Sequence, residues 1–399
     1  MFKIEELVKV TQGKLILKKG PSVLSGVSID SRKIKRGEVF IAIKGDNFDG
    51  HNFIPAALKN GAGCIIAQRK PEGFSGVSFI QVQDTIKALG EIAHFNRSRF
   101  NAVVIAITGS NGKTTTKDMA AWVLSRKFKV LSSEGTKNNH IGLPLTLLKL
   151  NKTHEIAVLE LGTNHFGEIN YLSGIAAPNI GVITNIGPSH LKYLKDLKGV
   201  FREKSDLIRN LSKPKIAILN ADDKYLNKEL AKHDGRLFKV GIGINNKSDF
   251  TASAIRYLPD KYKFSVNHRL GFALNSLGYY NIYNGLVAVA LARIFGMTYP
   301  EISSALFAFK PPYGRLNLIS KKGIRFIDDT YNSNPLSLRQ ALDSLDKIKV
   351  QGRKIAVIGD MLELGRESLK LHEKAVKQIT RSCDKLIAVG SISSLSLKS

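Results

Sequence analysis

The chain has 399 residues, of which 43% are apolar and 23% are charged. This composition is typical of a folded globular protein and excludes a disordered or collagen-like chain, and the length predicts about two to three domains. Two cysteines far apart in sequence exclude a disulfide framework and a cysteine-built zinc site. They are typical of a reducing compartment, so a cytoplasmic location is expected. No apolar segment follows Met1, and the longest apolar stretch, 285–297, contains Arg293, so we expect neither a signal peptide nor a membrane span.

The chain is strongly basic, with 60 Lys and Arg against 33 Asp and Glu, a formal charge of +27. Such an excess suggests nucleic acid, membrane lipid or a polyanionic small substrate as a partner. The lysines are dispersed, however, without a long block of like charge or a basic amphipathic stripe, which favours a solvated surface. We therefore predict no nucleic-acid partner, although the positive electrostatic potential of the protein would attract an anionic substrate.

The first segment, residues 1–99, mixes short strand-like runs with helical stretches. The strand-like runs are 39–43, 64–67 and 77–82, and 54–60 is an example of a helical stretch. A polar passage at 94–101 then predicts a linker. We expect this segment to be a separate α/β domain.

The second segment, residues 100–309, opens on the continuous apolar run Ala-Val-Val-Ile-Ala-Ile-Thr at 102–108, which predicts a strand buried on both faces. Further strands alternate with helical patterns and are predicted at 156–161, 180–184 and 216–219. Alternation of this kind predicts right-handed crossovers and a parallel sheet with helices on both faces.

The third segment, residues 310–399, follows the break Pro311-Pro312-Tyr313-Gly314. Strands are predicted at 324–327, 355–358 and 386–389, which suggests a Rossmann-like α/β domain. The segment stops shortly after its last strand, with no further helix expected, so this domain looks truncated. The expected architecture is α/β with three domains, the central one built around a P-loop-like parallel sheet.

A glycine turn follows the buried strand at 102–108 and carries a phosphate-binding pattern. The turn reads Thr108-Gly109-Ser110-Asn111-Gly112-Lys113-Thr114-Thr115, and a helix is predicted from about Thr115. Glycines let backbone N–H groups converge on an anion at a helix N-terminus, the lysine supplies a cation to the β- and γ-phosphates, and the hydroxyl of Thr114 is positioned to ligate Mg²⁺. Only two residues separate the glycines, where the common P-loop has four. An ordinary strand-to-helix turn is the alternative, but the position between strand and helix favours nucleotide binding.

The string TGSNGKTTTK at 108–117 closely resembles the ATP loop of the Mur ligases, which extend the peptide of the cell-wall precursor. Four further strings resemble the family in the same order: NNHIGLPLTLL at 138–148, ELGTNHFGEI at 160–169, DDTYNSNP at 328–335 and GDMLELG at 359–365. The last two resemble those of the member that adds D-Ala-D-Ala to UDP-MurNAc-tripeptide. The resemblance therefore implies an ATP-dependent amide ligase with these two substrates, built from a UDP-precursor-binding domain (1–99), an ATP-binding domain (100–309) and a ligase domain (310–399). We expect a monomer.

The resemblance also implies a catalytic and metal-binding set. Phosphoryl transfer needs cations around the transferred group. The carboxylate of Glu160 follows a buried apolar strand, where an unpaired charge is costly unless it meets a cation. The implied catalytic residues are Lys113, Glu160, His190, Lys204 and Arg315, and the implied Mg²⁺ ligands are Thr114, Glu160, His190 and Lys204. In the family the lysine corresponding to Lys204 is carbamylated, which requires a neutral amine and hence a lowered pKa. Here Lys204-Ser205-Asp206 stands where Lys-Gly-Glu is usual.

The remaining implied positions concern nucleotide and substrate. Asn281 and Asn284 resemble the amides that bind the base and phosphates, with Tyr280 in place of the usual histidine, while Arg315 would reach the γ-phosphate and Asp329 the ribose. A phenol can stack or donate a hydrogen bond but is not cationic near neutral pH. The residues implied for the UDP part of the precursor are Ser31, Arg32, Lys44, Asp49, Gly50 and His51, and those along the peptide path are Asn138, Asn139, Asn164 and His165.

Three alternatives remain open. A ligase that adds the third peptide residue, or a folylpolyglutamate synthase relative, keeps the chemistry and changes the acceptor; the former is disfavoured because Ser333-Asn334-Pro335 replaces its Asp-Asn-Pro-Arg pattern. A basic nucleic-acid-binding P-loop protein would bind DNA with an affinity that falls steeply as the salt concentration rises. However, the sequence contains no helix-turn-helix, zinc-binding or RNA-recognition motif. An inactive remnant is suggested by Tyr280, the context of Lys204 and the early stop.

Overall fold

The computed structural model describes residues 1–45, 47–269 and 271–397. The strands are β1 Phe2–Lys3, β2 Lys14–Leu17, β3 Val23–Leu24, β4 Val27–Ser28, β5 Val39–Ile41, β6 Cys64–Ala67, β7 Ser78–Gln81, β8 Val103–Thr108, β9 Val130–Ser132, β10 Ile156–Glu160, β11 Ile180–Ile183, β12 Ile216–Asn220, β13 Phe238–Gly243, β14 Phe250–Leu258, β15 Lys261–Val266, β16 Gly271–Leu274, β17 Asn317–Lys321, β18 Ile324–Asp328, β19 Ile355–Ile358 and β20 Lys385–Ala388. The helices are α1 Ile4–Thr11, α2 Ile54–Lys59, α3 Thr85–Ser98, α4 Lys113–Leu124, α5 Gly142–Leu147, α6 Glu168–Ala176, α7 Leu191–Leu194, α8 Leu197–Arg209, α9 Lys224–Ala231, α10 Asn281–Ile294, α11 Tyr299–Phe307, α12 Pro335–Lys347, α13 Ser368–Ser382 and α14 Ser391–Leu395. Short 3₁₀ turns lie at Gly50–Phe53 and Gly365–Glu367.

The chain folds into two compact units, each of the α/β class. The first consists of Met1–Asn101, Lys137–Lys152 and Gly174–Ala177, and the second of Ala102–Thr136, Thr153–Ser173 and Pro178–Ser399. The first unit therefore draws two short pieces from beyond residue 99, the boundary that the sequence suggested. Among the described residues, no helix combines the length and apolar character needed to cross a bilayer.

The first unit is built on a five-stranded sheet in the order β2-β7-β6-β5-β4, with β2 antiparallel to β7 and the other pairs parallel. All of β6 is buried: Cys64 and Ile66 pack into one apolar cluster, and Ile65 and Ala67 into another. Both faces of the sheet are therefore covered. The strands and the helix predicted in this segment are confirmed to within two residues at each end.

The predicted linker at 94–101 is wrong, because α3 continues through most of it. Asn96 is buried and donates hydrogen bonds to the carbonyls of Leu147 and Leu150, at 2.9 and 3.1 Å. Arg97 is also buried and donates to the carbonyl of Phe100 at 2.9 Å. Polar side chains satisfied by distant carbonyls can lie inside a core, so a polar sequence here does not mean a loop.

The second unit contains a nine-stranded sheet in the order β16-β15-β14-β13-β12-β11-β8-β10-β9. The neighbouring strands of the stretch β14-β13-β12-β11-β8-β10-β9 are parallel, as predicted for the central segment. By contrast, β14, β15 and β16 form an antiparallel ribbon that was not predicted. Helices α4 and α10 pack with Ile105 and Ile107 on one face. The opposite face approaches α8, where a Cβ added at Gly181 would lie 3.2 Å from Leu207. The predicted parallel sheet with helices on both faces is confirmed.

The C-terminal part of the second unit contains two small sheets. Strand β18 pairs antiparallel with β17, and β19 pairs parallel with β20, so the three strands predicted here do not form one continuous ladder among the described residues. A short helix, α14, follows the last strand, where none was predicted. Helices α12 and α13 pack against each other beside these strands.

Candidate nucleotide and ligase site

The glycine turn that follows β8 has no room for a Cβ atom at either glycine. Gly109 has φ +148° and Gly112 has φ +80°. A Cβ at Gly109 would lie 1.9 Å from Oγ1 of Thr184, and one at Gly112 would lie 2.8 Å from Oδ1 of Asn284. The turn therefore has the tight, glycine-dependent backbone predicted for it, and α4 begins at Lys113, two residues before the predicted start.

Replacing Gly109 by alanine should lower the free energy of unfolding by about 2 to 4 kcal/mol and weaken nucleotide binding, because a Cβ meets Thr184 in a backbone conformation that L-residues avoid. Gly73 is a matched control, since it has φ +66° with no atom within 4 Å of an added Cβ. The change Gly73→Ala should cost at most about 1 to 2 kcal/mol. Urea unfolding of both variants checks this, and equal losses would show that the turn tolerates a side chain.

The turn is held by the segment that follows β11. The carbonyl of Asn111 accepts hydrogen bonds from Oγ1 of Thr184 at 2.6 Å and from Nδ2 of Asn185 at 3.0 Å. The N–H of Asn111 donates to Oδ1 of Asn185 at 3.0 Å, and Oγ of Ser110 donates to the carbonyl of Gly187 at 2.9 Å. A turn fixed in this way is preorganised for an anion, since little reordering is needed on binding.

Lys113 folds back over the turn. Its Nζ donates to the carbonyl of Gly109 at 2.9 Å and to that of Ser110 at 3.4 Å. Burial lowers the pKa of this ammonium; the carboxylate of Glu160 acts in the opposite direction, and the guanidinium of Arg315 reinforces the lowering. The three side chains are therefore close enough to influence one another.

Arg315 and Glu160 face the start of α4. Glu160 ends β10 with 1% exposure, and Nη2 of Arg315 donates to Oγ1 of Thr114 at 3.3 Å. The guanidinium carbon of Arg315 lies 3.9 Å from the centre of the Tyr331 ring. Its Nε is buried and has no hydrogen-bond partner among the described residues. Burial lowers the pKa of Arg315, and Glu160 is the strongest opposing influence. A buried guanidinium N–H without an acceptor suits a site that receives an anion.

Lys204 and His190 complete the set. Lys204 is 1% exposed, and within the described ranges its Nζ forms no hydrogen bond or ion pair. Burial, followed by the charge of Lys113, holds the pKa of Lys204 well below its ordinary value. Burial and then the charge of Lys204 lower the pKa of His190, whose Nδ1 is hydrogen bonded to Glu363. The structure thus brings the five side chains predicted as catalytic into one region of the second unit.

The sequence interpretation missed Glu203, the neighbour of Lys204. This carboxylate is 1% exposed and accepts hydrogen bonds from Oγ1 of Thr163 at 3.1 Å, from the N–H of Gly167 at 2.7 Å and from the N–H of Ile169 at 2.8 Å. It therefore fixes the loop that follows β10, next to Glu160. Among the residues that the structure describes, no group of three or more His, Cys, Asp or Glu side chains is arranged for a metal ion.

A cavity of about 350 Å³ opens beside the glycine turn at the carboxyl ends of the parallel strands, where open α/β sheets bind ligands. Of the residues predicted to bind nucleotide, it is lined by Asn111, Gly112, Thr115, Asn281, Asn284, Arg315 and Asp329. The buried Oγ1 of Thr108 donates to the carbonyl of Leu161 at 2.9 Å, and its role in nucleotide binding stays a prediction. Tyr280 lies at the cavity with 38% exposure.

Two amides line this cavity and connect it to α4. Oδ1 of Asn284 accepts from Oγ1 of Thr116 at 2.8 Å, and its Nδ2 donates to Oδ1 of Asn281 at 2.7 Å. The cavity also contains Asp222, which the sequence interpretation missed. Its carboxylate accepts from the N–H of Ile244 at 2.6 Å and from the hydroxyl of Tyr283 at 2.8 Å. Its position two residues after the end of β12 was an available signal, since the carboxyl ends of parallel strands meet at one edge.

In the first unit, the residues predicted to bind the UDP part lie in two loops. Arg32 is exposed, and its guanidinium forms two hydrogen bonds of 2.9 Å with the carboxylate of Asp30, while the side chain of Ser31 is buried. Nδ1 of His51 donates to Oδ1 of Asp49 at 2.6 Å, and its Nε2 accepts from the N–H of Gln68 at 3.2 Å. Both ring nitrogens of His51 are therefore used to hold the loop.

Four other predicted residues belong to this unit. Lys44 is exposed and forms an isolated β-bridge with Asp49. A Cβ at Gly50 would lie 2.5 Å from the carbonyl of Ile43, so the loop needs glycine there. Oδ1 of Asn139 accepts from the N–H of Gly142 at 2.9 Å at the start of α5, and the neighbouring Asn138 is half-buried.

In the second unit, Asn164 and His165 lie exposed on the loop that follows β10. Their backbone N–H groups donate to Oε2 of Glu168, at 2.6 and 3.1 Å. The ring of His165 lies 4.1 Å from that of Tyr193. Nδ1 of His165 also lies 3.5 Å from Oε1 of Glu168. The peptide-path role of both residues stays a prediction.

Sequence profiles of one family match most of the chain. The profile of the Mur ligase family catalytic domain matches residues 23–97, that of the Mur ligase middle domain 107–292, and that of the Mur ligase glutamate ligase domain 314–397. UDP-N-acetylmuramoyl-tripeptide–D-alanyl-D-alanine ligase from Haemophilus influenzae is 36% identical over 94% of this chain and 82% of the relative. The ligase of the same name from Escherichia coli is 34% identical over 97% of this chain and 85% of the relative.

Solved structures agree with these sequence relations. MurF from Acinetobacter baumannii matches with a TM-score of 0.92 and 34% identity, covering 100% of this chain and 87% of that one. MurF ligase from Thermotoga maritima in complex with ADP matches with a TM-score of 0.83 and 30% identity, covering 91% of this chain and 83% of that one. The chain belongs to the Mur ligase family of ATP-dependent enzymes that form amide bonds.

Proposed function

We propose that this protein joins D-Ala-D-Ala to UDP-MurNAc-tripeptide at the expense of ATP and forms UDP-MurNAc-pentapeptide for peptidoglycan synthesis. The similar enzymes from Haemophilus influenzae and Escherichia coli carry this activity in their names. The observation that carries the proposal is the convergence of Lys113, Glu160 and Arg315 beside the glycine turn, with Arg315 also lining a cavity of about 350 Å³. This arrangement combines a phosphate cradle with two cations and one carboxylate.

The chemistry has two steps. A carboxylate oxygen of the tripeptide attacks the γ-phosphorus of ATP, the bond to the bridging oxygen breaks, and ADP leaves with that electron pair. The amine of D-Ala-D-Ala then attacks the acyl carbon, the acyl C–O bond breaks, and phosphate leaves as the amide forms and the amine loses a proton. Such transfers depend on positioning and on neutralising spread negative charge.

The positions of the side chains suggest their roles. Lys113 contacts the carbonyls of the turn and Arg315 donates to Thr114 beside it, so both would stabilise the transferred phosphoryl group. The N–H groups of the turn and the start of α4 would hold the β- and γ-phosphates. Asn281 and Asn284 would contact the base, and Asp329 would accept hydrogen bonds from the ribose hydroxyls.

The same region offers ligands for Mg²⁺. Mg²⁺ prefers hard oxygen ligands, and the hydroxyl of Thr114, the carboxylate of Glu160 and a carbamate on Lys204 would be such ligands, with His190 as a nitrogen ligand. Lys204 is 1% exposed, and burial holds its pKa well below the ordinary value, which fits the formation of a carbamate. A bound cation would neutralise the negative charge on the phosphoryl oxygens.

The remaining parts of the interpretation are also proposals. The first segment (1–99) would bind the UDP-precursor through Ser31, Arg32, Lys44 and the loop at 49–51, the central segment (100–309) would bind ATP, and the last (310–399) would complete the site. Asn138, Asn139, Asn164 and His165 would contact the peptide. We propose a cytoplasmic monomer.

The affinity for ADP should fall as the pH drops through about 6. Burial raises the pKa of Asp329 to about 6. Above this value the carboxylate accepts hydrogen bonds from ribose; below it the protonated form loses charge and acceptor capacity. The ratio of the wild-type Kd for ADP to that of Asp329→Asn should rise by up to about tenfold for each pH unit below 6. Calorimetric titration of both proteins between pH 5 and 8 measures this ratio, and a constant ratio would contradict the role of Asp329.

The function is tested by incubating the protein with ATP, MgCl₂, UDP-MurNAc-tripeptide and D-Ala-D-Ala and following phosphate release and the pentapeptide by mass. We expect one product molecule per phosphate and no phosphate release without the tripeptide. Both lysine and diaminopimelate forms of the tripeptide should be tried.

The choice of substrates separates the alternatives. A third-residue ligase would use UDP-MurNAc-dipeptide with a free diamino acid, and a folylpolyglutamate synthase relative would use a folate with glutamate. Product with either of those pairs and none with D-Ala-D-Ala would refute the proposal. Equal phosphate release with and without tripeptide would also refute it, because the protein would then be an ATPase.

A further inference from the structure

One ring nitrogen of the candidate metal ligand His190 is hydrogen bonded to a carboxylate. Its Nδ1 is hydrogen bonded to Oε2 of Glu363, a residue 173 positions further along the chain. The side chain of His190 is 21% exposed and that of Glu363 is 40% exposed. Nothing in the sequence pattern assigns Glu363 a role beyond its place in the GDMLELG string.

The contact is held from both sides by the backbone. His190 has φ +52° and Glu363 has φ +62°, so both residues adopt a left-handed conformation that is unfavourable for L side chains. The N–H of Lys192 donates to the carbonyl of Glu363 at 3.4 Å, and a Cβ at Gly365 would lie 3.3 Å from Cα of Lys192.

The segment that carries Glu363 is also anchored in a core. Met361 and Leu364, which flank it, are 2% and 3% exposed and pack in one apolar cluster with Ala375. The carboxylate is therefore presented to His190 by a docked loop. A free surface side chain would not be fixed in this way.

A histidine that binds a metal through one ring nitrogen almost always donates its other N–H to a carboxylate, a carbonyl or a water. Such a partner selects the tautomer, orients the ring and raises the basicity of the ligating nitrogen. With Nδ1 donating to Glu363, the lone pair of Nε2 is the one left for a metal.

We propose that Glu363 is a positioning residue for the metal site: it orients His190 so that Nε2 can bind the divalent cation. This inference rests on the proposed role of His190 as a metal ligand. Because Glu363 belongs to the C-terminal part of the second unit, its loop must be docked on residues 190–195 for His190 to reach full metal affinity.

The test is the affinity for Mn²⁺, used as the probe in place of Mg²⁺ and measured by electron paramagnetic resonance with a non-hydrolysable ATP analogue bound. Glu363→Ala should raise Kd for Mn²⁺ by about 10- to 100-fold, and Glu363→Gln should raise it less, since the amide oxygen still accepts from Nδ1. Glu367→Ala removes a nearby exposed carboxylate that lies 3.7 Å from Lys370, and it should leave Kd unchanged.

His190→Ala separates this inference from the function on which it rests. We expect it to raise Kd at least as much as Glu363→Ala, and the double variant to be no worse than His190→Ala alone, because the two residues act as one unit. If His190→Ala raises Kd while both Glu363 variants stay within twofold of wild type, the positioning role is overturned and the proposed function stands. If His190→Ala has no effect, the metal role of His190 is overturned as well. Thermal melting confirms that each variant is folded, and Glu363→Gln decides the matter if Glu363→Ala does not fold.

Discussion

Replacing Lys113 by alanine is expected to lower kcat by at least about 10³-fold, which corresponds to about 4 kcal/mol in activation free energy. The ammonium of Lys113 lies over the glycine turn, donating to the carbonyls of Gly109 and Ser110. Burial has removed much of its hydration, so its charge acts on a phosphoryl group with little screening. We therefore expect Lys113 to stabilise charge that is largest in the transition state.

The variant should remain folded. Two carbonyls of the turn lose a donor, but one desolvated charge is removed at the same time, so the melting temperature should change little. Lys228→Ala is the matched control, because Lys228 is exposed on α9. Steady-state phosphate release with both substrates present measures the effect. Turnover within tenfold of wild type in Lys113→Ala would mean that the phosphate loop has been misread.

Replacing Lys204 by alanine is expected to lower kcat by about 10²- to 10³-fold. Lys204 is 1% exposed on α8, and burial together with Lys113 lowers its pKa well below the ordinary value. A neutral amine reacts with CO₂, and the resulting carbamate would be an anion able to ligate a divalent cation together with Thr114, Glu160 and His190.

Chemical rescue distinguishes a carbamate from a structural lysine. Acetate or propionate can occupy the space left in Lys204→Ala and supply a carboxylate, so millimolar amounts should restore part of the activity. Wild-type enzyme in CO₂-depleted buffer should lose activity and regain it with bicarbonate, whereas Lys204→Ala should not respond. Lys198→Ala, an exposed lysine on the same helix, should behave as wild type. Full activity of Lys204→Ala without additives would remove the carbamate role.

Much of the second unit could be predicted because its signals are local. The apolar β-branched run of β8, the glycines at 109 and 112 and the lysine after them define strand, turn and helix without reference to the rest of the chain. The start of α4 differs by two residues because Gly112, with φ +80°, already serves as the N-cap. Helix boundaries of this kind depend on one backbone conformation, which the sequence pattern does not fix.

The residues that were missed act through contacts between distant segments. Glu203 is a neighbour of Lys204 in an ordinary helical pattern, and its role appears only when the N–H groups of Gly167 and Ile169 are brought to it. Asn96 and Arg97 look like linker residues until their carbonyl partners are known. Local patterns cannot reveal such partners.

The C-terminal part shows one signal that could have been used. Strands β17 and β18 are joined by Lys322 and Gly323, both with positive φ, which is the geometry of a two-residue hairpin turn. Recognising that turn would have predicted β17. The antiparallel ribbon of β14 to β16 was missed because no strand was predicted beyond 219 in the central segment.

The central claim is that the γ-phosphoryl group is handed to the tripeptide carboxylate at the turn of Gly109 and Gly112. The most direct test uses UDP-MurNAc-tripeptide labelled with ¹⁸O in both oxygens of the reacting carboxylate, together with ATP, MgCl₂ and D-Ala-D-Ala. An acyl phosphate requires that each phosphate released carry one labelled oxygen and that the new amide carbonyl retain the other. Unlabelled phosphate released alongside the pentapeptide would contradict the account.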